Sequence, residues 1–456
     1  MVTHGIGGKP LHATAILRAH GLAPFRGILT PESFRRVHPK APAAKTVLIP
    51  EVVFWLMAVV GLGAGSMAGA ILAFWSSLRA AVAGLPAAPV TEEAFCKARS
   101  ALRLRFFLLL FADVVDRFEQ RFDLSFRWKG RRLLAFDGSD VELPNDPHLR
   151  RLYPPASNQH GRRGRPQARL VALVGLWSGL CHAFRWTDLS VSEQVSARQL
   201  CRLLRPGDLA LADRNFPDRE TMAMIRSREA DFLFHLPSNR FLGSPRTPTP
   251  SGRPDEWYVR IELPAALRRA HPEWGEAIPA RILQYQVPGF RPSWLITSLR
   301  DIVEFPYEDL VGLYHERWRQ ETFHREWKHT LQLSNLRSHS AAGLRKEVLV
   351  QLTLNNLIRW TMAEAAPPPA RPVDLKFLET KRLVLEAVAV MTAAPACLLP
   401  EIYRGLLAQI ARQRIRVRPG RSYLRRWDIR GRPKGHGRIA PPAKLTPPKE
   451  NTSGAS

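Results

Sequence analysis

Residues 314–328 (YHERWRQETFHREWK) carry four side chains whose spacing fits one face of an α-helix. At about 100° and 1.5 Å per residue, the four fall within about 60° of one another along about 20 Å of helix. They are Tyr314, Arg317, Glu321 and Lys328. The stripe suits a divalent metal held against a phosphate backbone, because the carboxylate can bind the metal while the phenol and cations bind phosphate oxygens. The alternative is a solvated helix face joined by i,i+4 charge pairs.

The charge of the chain narrows the class of partner. The 456 residues carry a formal net charge of +27, with a sequence pI of about 11.0. A polyanionic partner explains such an excess, either nucleic acid or an acidic membrane surface. The charge predicts affinity for DNA but no sequence preference. The length admits two or three domains with their own cores.

The cysteines and the N-terminus indicate a reducing, cytoplasmic compartment. Four scattered cysteines form no C-x-x-C pair, so neither a disulfide framework nor a zinc site is expected. The first ten residues lead into no apolar core of the kind that a signal peptide has.

One stretch is long enough to raise the question of a membrane span. Val52 to Phe74 is 23 residues without a charge, but it contains four glycines. Glycine lowers helix propensity, so the stretch predicts two shorter buried helices broken around Gly61 to Gly65. A membrane span is the alternative. The sequence has no second span to support it, and we expect no membrane partner.

Residues 1–125 are predicted to form a helical N-terminal domain with a probable role in DNA binding. Pro50 stands where a helix could begin, and Thr91 is a plausible N-cap for another. Apolar residues from Phe95 to Phe107 recur at helical spacing with Lys and Arg between them. A basic amphipathic helix here could lie along DNA or be an ordinary surface helix.

From residue 126 the pattern alternates between strands and helices. Three strands precede a helix at 193–204, and two more strands alternate with helices up to the helix at 308–330. The first strand is expected to end in Asp137 and the fourth in Asp213. This order matches a ribonuclease-H-like α/β core, assigned to 126–237 and 306–365.

The remaining segments are assigned by composition. Residues 238–305 are rich in Pro and Arg with strand-like pieces at 257–263 and 280–285, and 366–411 are C-terminal helices. Residues 412–456 are a basic tail, expected to be disordered and to bind DNA without specificity. Between Arg412 and Lys449 the tail has thirteen Lys or Arg and one acid, Asp428.

Three motifs together resemble the DDE transposases of the insertion sequence four family. Asp137-Gly138-Ser139 is similar to the family's D-G-[ST] motif, and residues 211–216 (LADRNF) are similar to L-A-D-R-G-F. The helical stretch matches its Y-x2-R-x3-E-x6-K signature, with Thr297-Ser298-Leu299 before it and Leu336-Arg337-Ser338 after it. Asn215 departs from the family glycine, but Asn tolerates the same positive-φ backbone.

The resemblance implies a mechanism and a site. Asp137, Asp213 and Glu321 would be the catalytic, metal-binding acids, holding two Mg²⁺ ions, or Mn²⁺ in their place, for phosphoryl transfer at the inverted-repeat ends of an insertion sequence. Tyr314 and Arg317 would hold a terminal phosphate. The other predicted DNA-binding residues are Lys328 and, in the basic loop, Arg162, Arg163 and Arg165.

The resemblance also implies partners and a fold. Double-stranded DNA, both as terminal repeats and as target, would be bound by a homodimer in the synaptic complex, associated with the nucleoid. The family places a β-rich insertion between its second and third acids, which here falls on 238–305.

Alternatives stay open for the acids, for the tryptophans and for the function. Asp137 and Asp213 could each be turn residues. Rival acids lie nearby at Asp140, Asp208, Asp218, Glu316 and Glu326. Trp318 and Trp327 are expected to pack in the core rather than stack on bases. The alternative function is a defective or domesticated DNA-binding relative that acts as a nuclease or a transposition repressor. A membrane-anchored basic protein is a third class.

Overall fold

The fold is that of a computed structural model. It describes residues 23–416 except 26, 39–46, 63–65, 82–86, 123, 159–160, 163, 238–245 and 288–291. The predictions for residues 1–22 and for most of the basic tail, from 417 onward, therefore lie outside the described residues, as does the predicted DNA contact of Arg163.

Five helices form the N-terminal part of the described chain. They are α1 (Pro31–Val37), α2 (Pro50–Leu62), α3 (Met67–Ala81), α4 (Glu92–Ala101) and α5 (Leu104–Phe122). Thr91 caps α4 by accepting a hydrogen bond from the backbone N–H of Ala94 at 3.1 Å, as predicted. The long uncharged stretch divides into α2 and α3, which confirms a helix pair. The predicted burial holds for α2 but is wrong for α3, where Leu72 is 56% exposed. Among the described helices, none is long and apolar enough to cross a membrane.

Twelve strands follow among the described residues. They are β1 (Arg127–Trp128), β2 (Arg131–Glu142), β3 (Ser157–Asn158), β4 (Gly161–Arg162), β5 (Gln167–Gly175), β6 (Cys181–Asp188), β7 (Leu209–Ala212), β8 (Asp231–Leu236), β9 (Arg246–Pro248), β10 (Glu256–Glu262), β11 (Ala277–Tyr285) and β12 (Ser293–Thr297). The main sheet runs β6-β5-β2-β7-β8-β12-β11-β10-β9. Within it, β2, β7 and β8 are parallel, and the other neighbours pair antiparallel.

Nine further helices complete the described chain. They are α6 (Pro147–Leu152), α7 (Glu193–Cys201), α8 (Arg219–Ser227), α9 (Ala265–Ala270), α10 (Tyr307–Glu316), α11 (Arg319–Arg325), α12 (Ala341–Ala365), α13 (Phe377–Ala393) and α14 (Leu399–Ala411). A π-helical turn, Glu326–Thr330, extends α11. Most of α12 is buried, and its apolar residues share one core with those of α2 and α5.

The two faces of the sheet bury different helices because strand side chains alternate. Leu134 and Phe136 pack on the face covered by α7 and α8. Leu133 and Ala135 pack on the opposite face, together with Leu313 of α10. Asp137 comes two residues after Ala135 in β2, so it belongs to the same face of the sheet. α10, where the predicted signature begins, packs on that face.

The structure is a mixed α/β fold with one large sheet, and its element order is consistent with a ribonuclease-H-like core. The strand-like pieces predicted at 257–263 and 280–285 are β10 and β11. They continue the main sheet, since β12 pairs antiparallel with β8. The domain boundaries remain predictions.

The single helix expected at 308–330 is interrupted. After α10 the chain tightens: the N–H of Arg317 donates to the carbonyl of Tyr314 at 3.0 Å, and that of Gln320 to the carbonyl of Arg317 at 2.9 Å. These are i→i−3 bonds, which turn the chain by about 120° per residue instead of about 100°. The π-helical turn beyond α11 widens it again.

Candidate active site

Two of the predicted acids lie close together, Asp137 within β2 and Asp213 just after the end of β7. β2 and β7 pair with Ala135 opposite Leu211. Continuing the same register places Asp137 opposite Asp213, and neighbouring strands lie about 4.8 Å apart. Asp213 follows the end of β7, as predicted. The prediction that Asp137 ends its strand is wrong, because β2 continues to Glu142 by pairing with β5.

The carboxyl group of Asp137 is buried and lies close to other charged side chains. Burial and the charges of Asp213 and Glu193 together raise its pKa to about 7, against the attraction of Arg317. The backbone N–H of Gly138 donates to its Oδ1 at 2.9 Å. A group so placed favours either a proton or a cation, because both relieve the repulsion among the carboxylates.

Arg317 and Tyr314 lie beside this pair of acids. Burial opposes the charge of Arg317, but Tyr314, Asp137 and Asp213 together raise its pKa. The Nε atom of Arg317 is buried without a hydrogen-bond partner. Tyr314 is buried, and burial raises its pKa. The Cζ atom of Arg317 lies 5.8 Å from the centre of the Tyr314 ring.

Lys328 approaches the same strand from the π-helical turn. Partial burial lowers the pKa of its ammonium group, while Asp140 and Asp137 oppose that shift. Arg317 and Lys328 thus place two positive charges near the acids of β2.

Glu321 lies on the exposed side of α11, beside Arg317. Its side chain is 49% exposed, and its Oε1 lies 3.9 Å from Nη2 of Arg317. The inward positions of α11 belong instead to Gln320, whose Nε2 donates to the carbonyl of Ala135 at 3.1 Å, and to His324. The tight turn before α11 rotates Glu321 beyond the stripe expected for a regular helix.

Glu193 and His324 are neighbours of Asp137 that were missed in the sequence. Glu193 is the first residue of α7, and its charge acts on both Asp137 and Asp213. No spacing in the sequence links it to either acid. The Nε2 atom of His324 lies 3.5 Å from Oδ2 of Asp137. His324 follows Glu321 by three residues, so helical periodicity could have placed it near the same face.

Comparison with known proteins identifies the family of this chain. The model of the family described as Transposase DDE domain matches residues 128–357, half of the chain, from β1 into α12. The chain is also similar to Transposase InsG for insertion sequence element IS4 of Escherichia coli (strain K12), with 26% identity over 324 residues, 69% of this chain and 72% of that protein. The chain belongs to the insertion sequence four family of DDE transposases.

Two further comparisons are weaker. The transposase is 27% identical to Putative transposase InsZ of Escherichia coli (strain K12) over 130 residues, 28% of this chain and 43% of that protein. A structure of the piggyBac transposase synaptic complex with hairpin DNA aligns over 89% of this chain and 88% of that chain, with 10% identity and a TM-score of 0.37. A likeness at that TM-score adds nothing to the assignment.

The rival acids of this transposase all have other partners. Glu326 pairs with Arg359, and Glu316 accepts hydrogen bonds from Trp177 at 2.9 Å and Arg371 at 2.7 Å. The remaining three are engaged as follows: Asp140 pairs with Arg169, Asp208 pairs with Arg132, and Asp218 caps α8. These contacts give each rival a role in the fold.

A divalent metal is implied by the family. Asp137 and Asp213 fit it, because two close carboxylates are oxygen donors that a hard cation would stabilise, and the charge of Asp213 contributes to the raised pKa of Asp137. Over the described ranges, however, no group of three or more His, Cys, Asp or Glu side chains is arranged to hold an ion. Two of the three predicted ligands therefore come together, and Glu321 does not join them in this conformation.

Other sequence predictions have mixed outcomes. Trp327 is buried as expected, and its Nε1 donates to Oδ1 of Asn355 at 2.9 Å, but Trp318 is 56% exposed, so its predicted core packing is wrong. Asn215 does not have a positive φ. Its N–H instead donates to Oδ1 of Asp213 at 2.8 Å, which closes the turn without that backbone.

The basic loop is only partly described. Arg162 belongs to the short strand β4, although its side chain lies outside the described atoms, and Arg165 is exposed. The DNA contacts predicted for this loop remain proposals.

Proposed function

We propose that this transposase cuts and joins the inverted-repeat ends of its insertion sequence by Mg²⁺-dependent phosphoryl transfer. The observation that carries the proposal is the parallel register of β2 and β7, which brings Asp137 and Asp213 side by side. Mn²⁺ could substitute for Mg²⁺, since both accept carboxylate oxygens.

The three acids would hold the metal. Asp137 and Asp213 supply two carboxylates from the sheet, and Glu321 would supply the third after its half-exposed side chain turns inward along α11. When bound, a pair of divalent cations activates the attacking oxygen and stabilises the leaving oxygen of an in-line displacement. The other side chains of the site would position the DNA.

Arg317 is the best-placed phosphate contact. Its guanidinium lies beside both aspartates, and its buried Nε has no hydrogen-bond partner. An arginine can bind a phosphate through paired N–H donors, so a strand end held there would lie next to the acids. Tyr314 would contribute its hydroxyl at the same place, and Lys328 would hold a second phosphate.

The net charge of +27 supports binding of duplex DNA, both as terminal repeats and as target. A homodimer in the synaptic complex would hold two ends together. The exposed Arg165 and the neighbouring arginines of the basic loop would add contacts to the backbone.

The first test is 3′-end cleavage of a DNA fragment that carries the element's own terminal repeat. Wild type and Glu321→Gln are compared with Mg²⁺ present, and binding of the same fragment is measured for both. Activity that is lost in a variant that still binds DNA supports the metal–carboxylate mechanism. Equal activity in both removes Glu321 from the triad. No activity in either, with binding intact, favours the defective relative that acts as a repressor.

A further inference from the structure

His324 is a buried side chain with an unused hydrogen-bonding atom beside the first acid. It is 7% exposed, and its Nε2 makes no hydrogen bond that satisfies ordinary geometry. That atom lies 3.5 Å from Oδ2 of Asp137. A buried polar atom without a partner is costly, so its position opposite a carboxylate calls for an explanation.

The two oxygens of Asp137 face different donors. Oδ1 accepts the backbone N–H of Gly138 at 2.9 Å. Oδ2 faces the imidazole of His324. A carboxylate has about four lone-pair positions, so two donors leave one position on each oxygen for a cation. Holding both oxygens would fix the plane in which Asp137 presents them.

The same contact links α11 to β2. Gln320, one turn before His324, donates from Nε2 to the carbonyl of Ala135 at 3.1 Å. His324 therefore reaches Asp137 from a helix that is already fixed to the preceding part of the same strand. Because Glu321 also belongs to α11, this pair of contacts sets the distance between the first and third acids.

The imidazole suits a donor role. A neutral imidazole has one N–H, and the carboxylate accepts only if that N–H is on Nε2. Hydrogen bonds of this kind are often long without ligands and shorten when the site is loaded.

We propose that His324 is a positioning residue that donates from Nε2 to Oδ2 of Asp137 and thereby orients this carboxylate for a divalent cation. The proposal rests on the function proposed above, because it assumes that Asp137 binds the metal. Side chains that hydrogen-bond to a metal ligand and orient it typically change metal affinity by about 10- to 100-fold.

The test compares two side chains of nearly equal length. His324→Gln keeps an N–H donor at a similar reach, whereas His324→Met has none. Mn²⁺ affinity of the full chain without DNA is measured from the free Mn²⁺ signal in electron paramagnetic resonance. Asp137→Asn reports on the site itself, and His329→Met, an exposed histidine on the same helical segment, is the matched control.

We expect His324→Met to bind Mn²⁺ at least about 10-fold more weakly than wild type, and His324→Gln to recover most of that loss. His329→Met should bind as wild type. Equal affinities for the Gln and Met variants, with Asp137→Asn clearly weaker, would overturn the role of His324 alone. Unchanged affinity in Asp137→Asn would overturn both this role and the metal site.

A second measurement tests the hydrogen bond in the wild-type protein, without relying on weakened Mn²⁺ binding in a variant. In wild type labelled with ¹⁵N-histidine, the long-range ¹H–¹⁵N spectrum gives the tautomer of each ring, and the His324→Gln spectrum identifies the signal of His324. At pH 8, where the carboxyl of Asp137 is ionised, an N–H on Nε2 is expected. A ring of His324 with its proton on Nδ1 would contradict the proposal.

Discussion

Glu326 and Arg359 form a buried ion pair that joins the π-helical turn to α12. The guanidinium of Arg359 also lies 5.2 Å from the ring of Phe323 and 4.6 Å from that of Phe377. Glu326 therefore belongs to the packing of the core. Glu321, five residues earlier, has a half-exposed carboxylate that contacts Arg317 alone among the described ion pairs.

This difference predicts a large loss of stability when Glu326 is removed and a small change when Glu321 is removed. Glu326→Ala leaves a buried arginine without its partner and should lower the free energy of unfolding by about 3–5 kcal/mol. Glu321→Ala should change it by less than about 0.5 kcal/mol, because the side chain is half exposed. Urea denaturation of both variants measures the difference. A stable Glu326→Ala protein would show that the ion pair contributes little.

Stability should depend on pH through Asp137. Its carboxyl has a pKa of about 7 in the folded chain, against an ordinary value of 3.8. Between these values the folded state holds a proton that the unfolded state has released, so stability falls as pH rises from about 4 to 7. At about 1.4 kcal/mol per pKa unit, the loss is up to about 4 kcal/mol.

Asp137→Asn should remove this dependence. Without divalent cations, the variant is expected to be more stable than wild type at pH 8, and the two should converge near pH 4. Thermal unfolding across that range in a chelating buffer checks this. Parallel pH profiles for the two proteins would contradict the buried, raised pKa of Asp137.

Gly138 leaves room for the carboxyl of Glu193. A Cβ at residue 138 would lie only 2.5 Å from Cδ of Glu193, well inside van der Waals contact. Gly138→Ala should therefore destabilise the protein. In a Glu193→Ala background the same change should be neutral or stabilising by about 0.5–1 kcal/mol, because alanine is favoured over glycine in a strand. A double-mutant cycle with a coupling energy near zero would argue against the contact.

Arg317→Ala should weaken the binding of transposon ends more than the binding of Mn²⁺. The expected physical cause is the loss of a phosphate contact, which also makes the salt dependence of DNA binding less steep by about one unit. Arg325→Ala, an exposed arginine of α11, is the matched control. Titration of a labelled terminal-repeat duplex at several salt concentrations gives both quantities. End-binding equal to wild type would refute the role of Arg317.

Local elements were predictable wherever one segment carries its own signal. The apolar runs of β7 and β8, the N-cap at Thr91 and the pair of helices in the uncharged stretch follow from short-range patterning and were found as expected. The motifs around Asp137 and Asp213 gave the family because each motif is contiguous in the chain. Their three-dimensional arrangement depended on strand register, which only pairing fixes.

The helix that carries Glu321 was predicted less well. A 100° rotation per residue assumes unbroken i→i−4 bonding, and the i→i−3 bonds between Tyr314 and Gln320 change the direction of every later side chain. The burial of Gln320 and His324 against β2 holds this altered rotation in place.

The sequence by itself determined the family and the order of most strands and helices, and it predicted the acids, because each motif consists of residues that are close together in the chain. Only the tertiary structure decided that Glu193 and His324 adjoin Asp137, that Glu326 is a core residue, and that the carboxylate of Glu321 is half exposed beside Arg317. Those relationships join segments up to about 190 residues apart, and packing and backbone pairing set them rather than local spacing.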